Sequence, residues 1–213
     1  MKKQMLALII LIATIFGFVL PAFATPISTI FRDYGNSTGK VDPGGNDPLS
    51  SNYVEVFDNS QSRFSDVFNF SALDFDVITS FDLTLNFSDT GSTFLGWATE
   101  DWYVRPAEST SLATNTLFNL THSQAKMEQI ISFDINNLDI FQNIVDNKSF
   151  YLWFSEKTSS FTGADSFKLY SAKLDIYGTQ TVINATNPTP EPATMLLFGV
   201  GLLGITGVNR KNS

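Results

Sequence analysis

Cysteine is absent from the 213-residue chain, and histidine occurs once, as His122. Without cysteine the protein cannot be held together by disulfides, so its stability must come from a hydrophobic core. A zinc site built from cysteine and histidine is nearly excluded for the same reason. His122 lies in a polar stretch with no Gly-x-Ser-x-Gly motif around it, which gives little support for a catalytic triad.

Basic residues are also scarce, with 13 Lys and Arg against 21 Asp and Glu. Between Thr25 and Thr189, nine basic and twenty acidic residues leave a net charge of −11. Such a surface repels nucleic acid and anionic lipid, so no nucleic-acid partner is expected. Cations and neutral sugars remain compatible with it.

Long apolar runs, by contrast, are present at both ends of the chain. At the amino end two lysines precede an apolar run from Met5 to Leu20, and Ala22 and Ala24 then form a small-x-small cleavage site. This order predicts a signal peptide at 1–24 with a signal helix, export through the Sec translocon and cleavage by signal peptidase after Ala24. An uncleaved anchor is the alternative, because a run of 16 residues is only slightly short of a membrane span.

The carboxyl end has three ordered parts: the triplet Pro190-Glu191-Pro192, an apolar run at 193–208, and the basic pair Arg210-Lys211. A helix over the apolar run would be about 24 Å long, a little less than the roughly 30 Å hydrocarbon core. The basic pair is expected on the cytoplasmic side. The sequence therefore predicts a transmembrane helix at 193–208 with the globular part outside, in agreement with the amino-terminal signal.

This carboxyl end, residues 190–213, closely resembles the PEP-CTERM sorting signal of Gram-negative bacteria. The resemblance covers only about the last 25 residues and rests on the Pro-Glu-Pro triplet, the glycine-containing apolar run and the basic end. It implies recognition by exosortase, a multi-pass membrane protease that processes the tail near the triplet. It also implies an intermediate anchored in the inner membrane, a final location at the cell surface or outside the cell, and a host that secretes exopolysaccharide and forms biofilms.

Alternation of apolar and polar residues predicts β-strands in the middle of the chain. The strongest patterns place four sets of apolar residues on inward faces: Phe81, Leu83, Leu85 and Phe87; Ile131, Phe133 and Ile135; Phe150, Leu152 and Phe154; Tyr170, Ala172, Leu174 and Ile176. Weaker patterns lie at 53–57, 67–70, 94–98 and 102–105.

One short helix is predicted beside these strands, with Asn137 as its N-cap and Leu138, Phe141 and Val145 on one face. The protein is therefore expected to be mainly β, an antiparallel β-sandwich of jelly-roll type with one short helix, between the two terminal helices. The sandwich is assigned to residues 25–179. A linker rich in Thr, Asn and Pro follows at 180–189.

Asp33, Asp42 and Asp47 surround a Pro-Gly-Gly turn and offer hard oxygen ligands, which makes calcium the candidate cofactor. The spacing does not match an EF-hand, and clusters of Asp, Asn, Gly and Pro are ordinary turn formers. A plain loop without a metal is therefore the alternative.

Two further sets of residues have a functional and a structural interpretation. Five aromatic residues offer ring faces to sugars, although core packing is the alternative for each: Trp97, Trp102, Tyr103, Tyr151 and Trp153. Two carboxylate pairs, Asp74/Asp76 and Glu100/Asp101, suit glycoside hydrolysis only if they converge, and acidic residues at strand edges are usually just solvated.

Three functions remain open at this point. The leading one is a non-enzymatic protein of the cell surface or extracellular matrix, whose expected partners are exosortase, the membrane and, as a candidate, exopolysaccharide. The second is a carbohydrate-binding module carried on the same sorting tail. The third is a secreted glycoside hydrolase, which the scarcity of catalytic residues disfavours.

Overall fold

A computed structural model describes residues 24–57, 64–91, 93–94, 97–98, 101–109, 113–156 and 166–181. The chain divides into two compact units, Met1–Gln180 and Thr181–Ser213. Apart from Ala24, the signal peptide lies outside the described residues, and so does the whole sorting signal. Within the described ranges no helix is long and apolar enough to cross a membrane; the predicted span at 193–208 falls outside them.

The described residues of the first unit form β-strands and one short helix. In chain order the described elements are β1 (Ser28–Asp33), β2 (Val54–Phe57), β3 (Asp66–Asn69), β4 (Val77–Ser88), β5 (Thr93–Phe94), β6 (Trp97–Ala98), β7 (Trp102–Ala107), β8 (Phe118–Asn119), β9 (Met127–Asp134), α1 (Phe141–Asn147), β10 (Ser149–Glu156) and β11 (Ser166–Thr179). The prediction of a mainly β protein with one short helix is confirmed.

The strands form two antiparallel sheets and a small hairpin. Sheet 1 has the order β1-β11-β4-β9, with β2 also paired to β11, and sheet 2 has the order β3-β10-β7-β8. The remaining strands, β5 and β6, pair only with each other. From β2 onward, the chain repeatedly crosses between sheet 1 and sheet 2, which gives a sandwich-like pair of sheets.

Sheet 1 is organised around its two longest strands, β4 and β11, which pair over almost their whole length. On β4 the predicted inward residues, Phe81, Leu83, Leu85 and Phe87, are all fully buried. The alternating polar residues face the other side of the sheet, because successive side chains of a strand point to opposite faces. The strongest strand prediction is therefore confirmed in both position and orientation.

Aromatic rings join the two sheets. Phe150 of β10 lies 5.9 Å from Phe81 of β4 and 5.6 Å from Phe133 of β9, centroid to centroid. At the other end of the core Phe167 of β11 lies 5.0 Å from Phe154 and 4.8 Å from Trp102. Aromatic ring pairs of this kind add about 0.5–1.5 kcal/mol each to stability beyond the burial of apolar surface. These pairs therefore stabilise the core of a domain that has no disulfides.

A buried polar group connects the edges of the two sheets. The Tyr34 hydroxyl donates to the Asp66 carboxylate at 2.8 Å, and the Arg32 guanidinium donates to the backbone carbonyl of Val67 at 3.2 Å. Burial raises the pKa of Asp66 and, well above its ordinary value, the pKa of Tyr34. Because these buried polar groups need specific hydrogen-bond partners, they fix how the end of β1 is aligned with β3.

The helix differs from its prediction at the amino end. It begins at Phe141, four residues after Asn137, and Ile140 precedes it without a side-chain cap. The Asn137 side chain instead accepts a hydrogen bond from the Asp134 amide at 2.8 Å and so forms the turn after β9. Phe141 and Val145 of the predicted apolar face are buried on the helix, whereas Leu138 is buried in the turn that precedes it.

Two strand residues do not lie where simple alternation places them. Ile135 is 65% exposed, because β9 ends at Asp134 and the chain turns there. Tyr170 is only half-buried, because the register between β11 and β4 shifts between Leu169 and Ser171 and leaves Tyr170 as an extra residue. Such a bulge reverses the alternation, which is why Leu169 and Ala172 both point inward.

Candidate functional site

The two ends of the sandwich lie side by side. The first strand pairs with the last, with Ser28 opposite Ile176, and the Ile27 amide donates to the Ile176 carbonyl at 2.8 Å. The Gln180 side chain then donates to the Ile27 carbonyl at 3.3 Å. The segment after the signal cleavage site and the segment before the linker therefore leave the sandwich at the same end of sheet 1.

Three of the five aromatic residues proposed from sequence as a sugar platform are buried in the structure. Trp102 is 1% exposed, and Tyr103 and Trp153 are each 8% exposed. Trp102 is a core residue in contact with Phe167, so its ring face is not available to a ligand. Tyr151 is half-buried, and the side chain of Trp97 lies outside the part of the chain that is described.

A different group of aromatic and charged residues lies on the outer face of sheet 1. We call Tyr53, Tyr170, Lys126, Lys168 and Asp89 the tyrosine–lysine cluster. The two tyrosine rings are half-buried and meet edge to face, with centroids 5.7 Å apart. The Lys126 ammonium lies 4.3 Å from the centroid of Tyr170, and the Lys168 ammonium lies 5.5 Å from that of Tyr53. These contacts are typical of cation–π pairs.

Charges of both signs surround the two rings. Lys168 forms an ion pair with Asp89 at 2.9 Å, and the hydrogen bond to Asp89 raises the pKa of Lys168. Glu55 lies directly opposite Lys168 on β2. The hydroxyl groups of Ser88 and Tyr170 are 3.1 Å apart and share a hydrogen bond. The cluster therefore offers apolar ring surface beside donors and acceptors of hydrogen bonds.

Sequence reasoning missed this cluster because its members come from four separate parts of the chain. Tyr53 precedes β2, Asp89 follows β4, Lys126 precedes β9, and Tyr170 lies within β11. Alternation placed Tyr170 on the inner face, and the bulge that moves it outward leaves no recognisable pattern in the sequence. The Tyr53–Tyr170 pairing depends on strand order, which a single sequence does not provide.

The three candidate calcium ligands have different surroundings. The Lys40 ammonium lies 2.7 Å from the Asp33 carboxylate, and Asp42 is exposed. Asp47 accepts a hydrogen bond from the Phe57 amide at 3.1 Å, and burial raises its pKa to about 6. Among the described residues no three acidic or histidine side chains are grouped so that they could hold a metal ion. The calcium site stays a prediction.

The residues considered for catalysis lie on the surface. The His122 ring is 2.9 Å from the Asp101 carboxylate, with both side chains more than two-fifths exposed. Asp74 and Asp76 are exposed and precede β4, so they do not lie on a strand. Glu100 lies outside the described residues.

One shallow cavity of about 320 Å³ lies between the start of β4 and helix α1. Phe75 and Val145 supply apolar surface to it, and Asp76 and Asp146 supply carboxylates. The Gln142 side chain donates to Asp146 at 2.8 Å. The geometry provides a small mixed surface beside the helix.

Comparison with known proteins identifies the carboxyl end. The family of the PEP-CTERM protein-sorting motif matches residues 188–211. The chain therefore carries this sorting signal, which includes Pro190-Glu191-Pro192 and Arg210-Lys211. The signal implies export, processing by the membrane enzyme exosortase, and a location at the cell surface or outside the cell.

The folded part shows a weak likeness to a solved structure. No curated protein matches the chain. Among solved structures, it is similar to the CBM22-1–GH10 modules of endo-1,4-β-D-xylanase 10B from Clostridium thermocellum in complex with xylohexaose, at 8% identity and a TM-score of 0.35. That match covers 76% of this chain and 26% of the xylanase chain. So weak a likeness says nothing about function.

Proposed function

We propose that the protein is a non-enzymatic component of the cell surface or of the extracellular, exopolysaccharide-containing matrix, delivered there by its PEP-CTERM signal. The observation that carries the proposal is the sorting motif at 188–211. A signal peptide and a sorting tail at opposite ends of the chain support a route that begins with export and passes through the membrane. The folded domain is the part that remains to act outside.

The domain suits this environment. Its acidic surface keeps it soluble and favours a monomer, and its ring-rich core makes it independent of disulfides. The alternation of strands between the two sheets supports the jelly-roll interpretation. The first strand begins opposite the last part of β11, with Ser28 opposite Ile176, so the two described ends of the sandwich lie at the same end of sheet 1.

The surroundings of the acidic residues support a binding role over a catalytic one. Hydrolysis of a glycosidic bond needs two carboxyl groups that flank the substrate, one of them with a raised pKa. Asp74 and Asp76 are exposed beside a shallow surface. Asp101 is paired with His122 on the surface.

Cell fractionation tests this proposal. The full-length protein, with an epitope inserted after Ala24, is followed in a host that encodes an exosortase and in the same host with the exosortase deleted. We expect the epitope in the surface and matrix fractions of the first strain, and in the membrane fraction of the second. Equal distribution in both strains would contradict the proposal.

A carbohydrate-binding module is the second candidate function. The observation that favours it is the half-exposed Tyr53–Tyr170 pair, flanked by charged residues of both signs. A carbohydrate-binding function is compatible with the first proposal, because a protein of the extracellular matrix has to bind a component of that matrix to be retained in it.

A further inference from the structure

Two backbone irregularities meet at the tyrosine–lysine cluster. Tyr170 is the extra residue of the bulge in β11, and Asp89, at the end of the neighbouring β4, has a φ of 62°. A left-handed φ is uncommon for a residue other than glycine. Bulges and such backbone outliers concentrate at ligand sites, where they direct side chains that a regular strand would not present. Here they place Tyr170 and Asp89 on the same outer surface.

We infer that the tyrosine–lysine cluster is a binding site for a neutral glycan. A sugar ring offers apolar C–H groups on its faces, which pack against tyrosine rings. Its hydroxyl groups both donate and accept, so they need acceptors and donors beside the rings. Asp89 and Glu55 provide acceptors, and Lys168 provides a donor. The inference rests on the proposed extracellular role and names the ligand class for it.

The charges around the cluster favour a neutral ligand over an acidic one. Lys168 is already paired with Asp89, and Glu55 lies opposite it. The domain as a whole carries a net charge of −11, from nine basic and twenty acidic residues, so it repels a polyanion over about a Debye length. A neutral glycan meets neither obstacle.

Lys126 has a different part in this site. It is exposed, and within the described residues its ammonium contacts the Tyr170 ring and forms no ion pair with a carboxylate. A cation–π contact at an exposed position is weak, so a sugar can displace the lysine from the ring at small cost. Lys126 covers the ring in the free protein and is not needed for binding a neutral glycan.

The cluster lies far from the end of the last strand. The last strand ends at Thr179, nine residues beyond Tyr170, which corresponds to about 30 Å along a strand. The cluster therefore lies toward the end of sheet 1 that is opposite to Thr179.

Titration calorimetry on the full-length chain, purified in a mild detergent, tests the inference. The probes are neutral hexasaccharides of glucose, xylose, mannose and galactose, together with hexagalacturonate and its methyl ester. The variants are Tyr53→Ala, Tyr170→Ala, Tyr170→Phe and Lys126→Ala. Tyr177→Ala is the matched control, because Tyr177 is a half-buried tyrosine on the same face of the same strand, about 23 Å away along β11.

We expect at least one neutral hexasaccharide to bind the wild type, with an affinity that changes little between about 0.05 and 0.5 M salt. Tyr53→Ala and Tyr170→Ala should each weaken that binding by about fivefold or more. Tyr177→Ala should bind like the wild type. Tyr170→Phe keeps the ring and should lose less affinity than Tyr170→Ala, and Lys126→Ala should bind equally or more tightly. Circular dichroism of each variant identifies a loss of binding that comes from unfolding. Because Tyr53 lies outside the strands and Tyr170 lies within β11, Tyr53→Ala and Tyr170→Ala are independent tests.

Three results would overturn the inference. The first is that no neutral hexasaccharide binds. The second is that Tyr177→Ala weakens binding as much as Tyr170→Ala. The third is that only hexagalacturonate binds and that Lys126→Ala abolishes it, which would identify an acidic glycan as the ligand. None of these results affects the sorting proposal, which is measured in cells by the position of the protein and the mass of its tail.

Discussion

Asp82 on β4 and Asp175 on β11 lie directly opposite each other on the outer face of sheet 1. Two like charges in this arrangement destabilise a sheet. Each carboxylate is held by its own hydroxyl donor: Thr29 donates to Asp175 and Ser132 donates to Asp82, both at 2.6 Å. Lys173 forms an ion pair with Asp175 at 2.7 Å, and so offsets part of the repulsion between the two facing carboxylates.

The first prediction concerns this charge pair. Lys173→Gln should destabilise the domain by about 1 kcal/mol, because it leaves two facing carboxylates with one of them largely buried. Adding Asp82→Asn should recover about half of that loss, since it removes the repulsion. Urea unfolding of both single variants and of the double variant measures the coupling. Lys40→Gln, which breaks the Lys40–Asp33 ion pair instead, is the control. Strictly additive effects of Lys173→Gln and Asp82→Asn on the free energy of unfolding would show that Lys173 does not compensate the repulsion between the two carboxylates.

The second prediction concerns pH and Asp47. Burial raises the pKa of Asp47 to about 6, above its value of about 3.9 in an unfolded chain. Between these two values the folded state binds more protons than the unfolded state, so this group makes the domain less stable as the pH rises. Asn at this position does not titrate and can still accept the Phe57 amide hydrogen bond.

Asp47→Asn should therefore raise the melting temperature at pH 7.5 by a few degrees, and the gain should shrink as the pH falls from about 6 toward 4. Thermal unfolding at four or five pH values measures this trend. Asp42→Asn removes an exposed charge from the same loop and controls for net charge. A gain that is the same at every pH, or the same in both variants, would show that burial of Asp47 is not the cause.

The third prediction concerns the core. Leu85 is fully buried on the central strand β4, and Leu85→Asp would leave an unpaired charge there. We expect a loss of more than about 4 kcal/mol, enough to unfold the domain at room temperature. The neighbouring Asn86→Lys also introduces a charge, but on the outer face and directly opposite Glu128, so it should change stability by less than about 0.5 kcal/mol. Circular dichroism and urea unfolding compare them; similar melting of both variants would contradict the assigned orientation of β4.

The strands that could be predicted from sequence are those with strict alternation. On β4 and β10, apolar residues occupy every second position and are buried as expected, for example Leu83 and Leu152. Alternation failed where the backbone departs from a regular strand, at the bulge that turns Tyr170 outward and at the end of β9, where Ile135 is exposed. The edge strand β1 was missed, because it mixes inward and outward apolar residues, such as Ile30 and Phe31.

The sorting signal and the tyrosine–lysine cluster also differ in whether the sequence alone predicts them. The sorting signal is a contiguous motif whose order carries its meaning, so it could be recognised from residues 190–211 alone. The tyrosine–lysine cluster forms only when strands distant in sequence are brought together. Aromatic content by itself indicated the wrong residues, since Trp102 belongs to the core and Trp153 is also buried.

The fourth prediction concerns sorting. Glu191→Ala, or removal of Arg210 and Lys211, should cause mis-sorting of the protein. Neither change should unfold the domain, because these residues lie outside the β-sandwich sequence at 25–179. Fractionation of cells follows the location, and protease resistance of the domain serves as the folding control. Thr186→Ala, in the linker just before the matched residues 188–211, is the control variant and should be sorted like the wild type.

Mass spectrometry of both termini of the protein recovered from cells is the most direct test of the central claim, that the PEP-CTERM signal directs this chain to the surface. We expect the wild type to begin at Thr25 and to lack the residues beyond the Pro190-Glu191-Pro192 region, and we expect Glu191→Ala to retain its tail and remain with the membrane. A wild type that keeps its chain through Ser213, at the same location and with the same processing as Glu191→Ala, would contradict the claim.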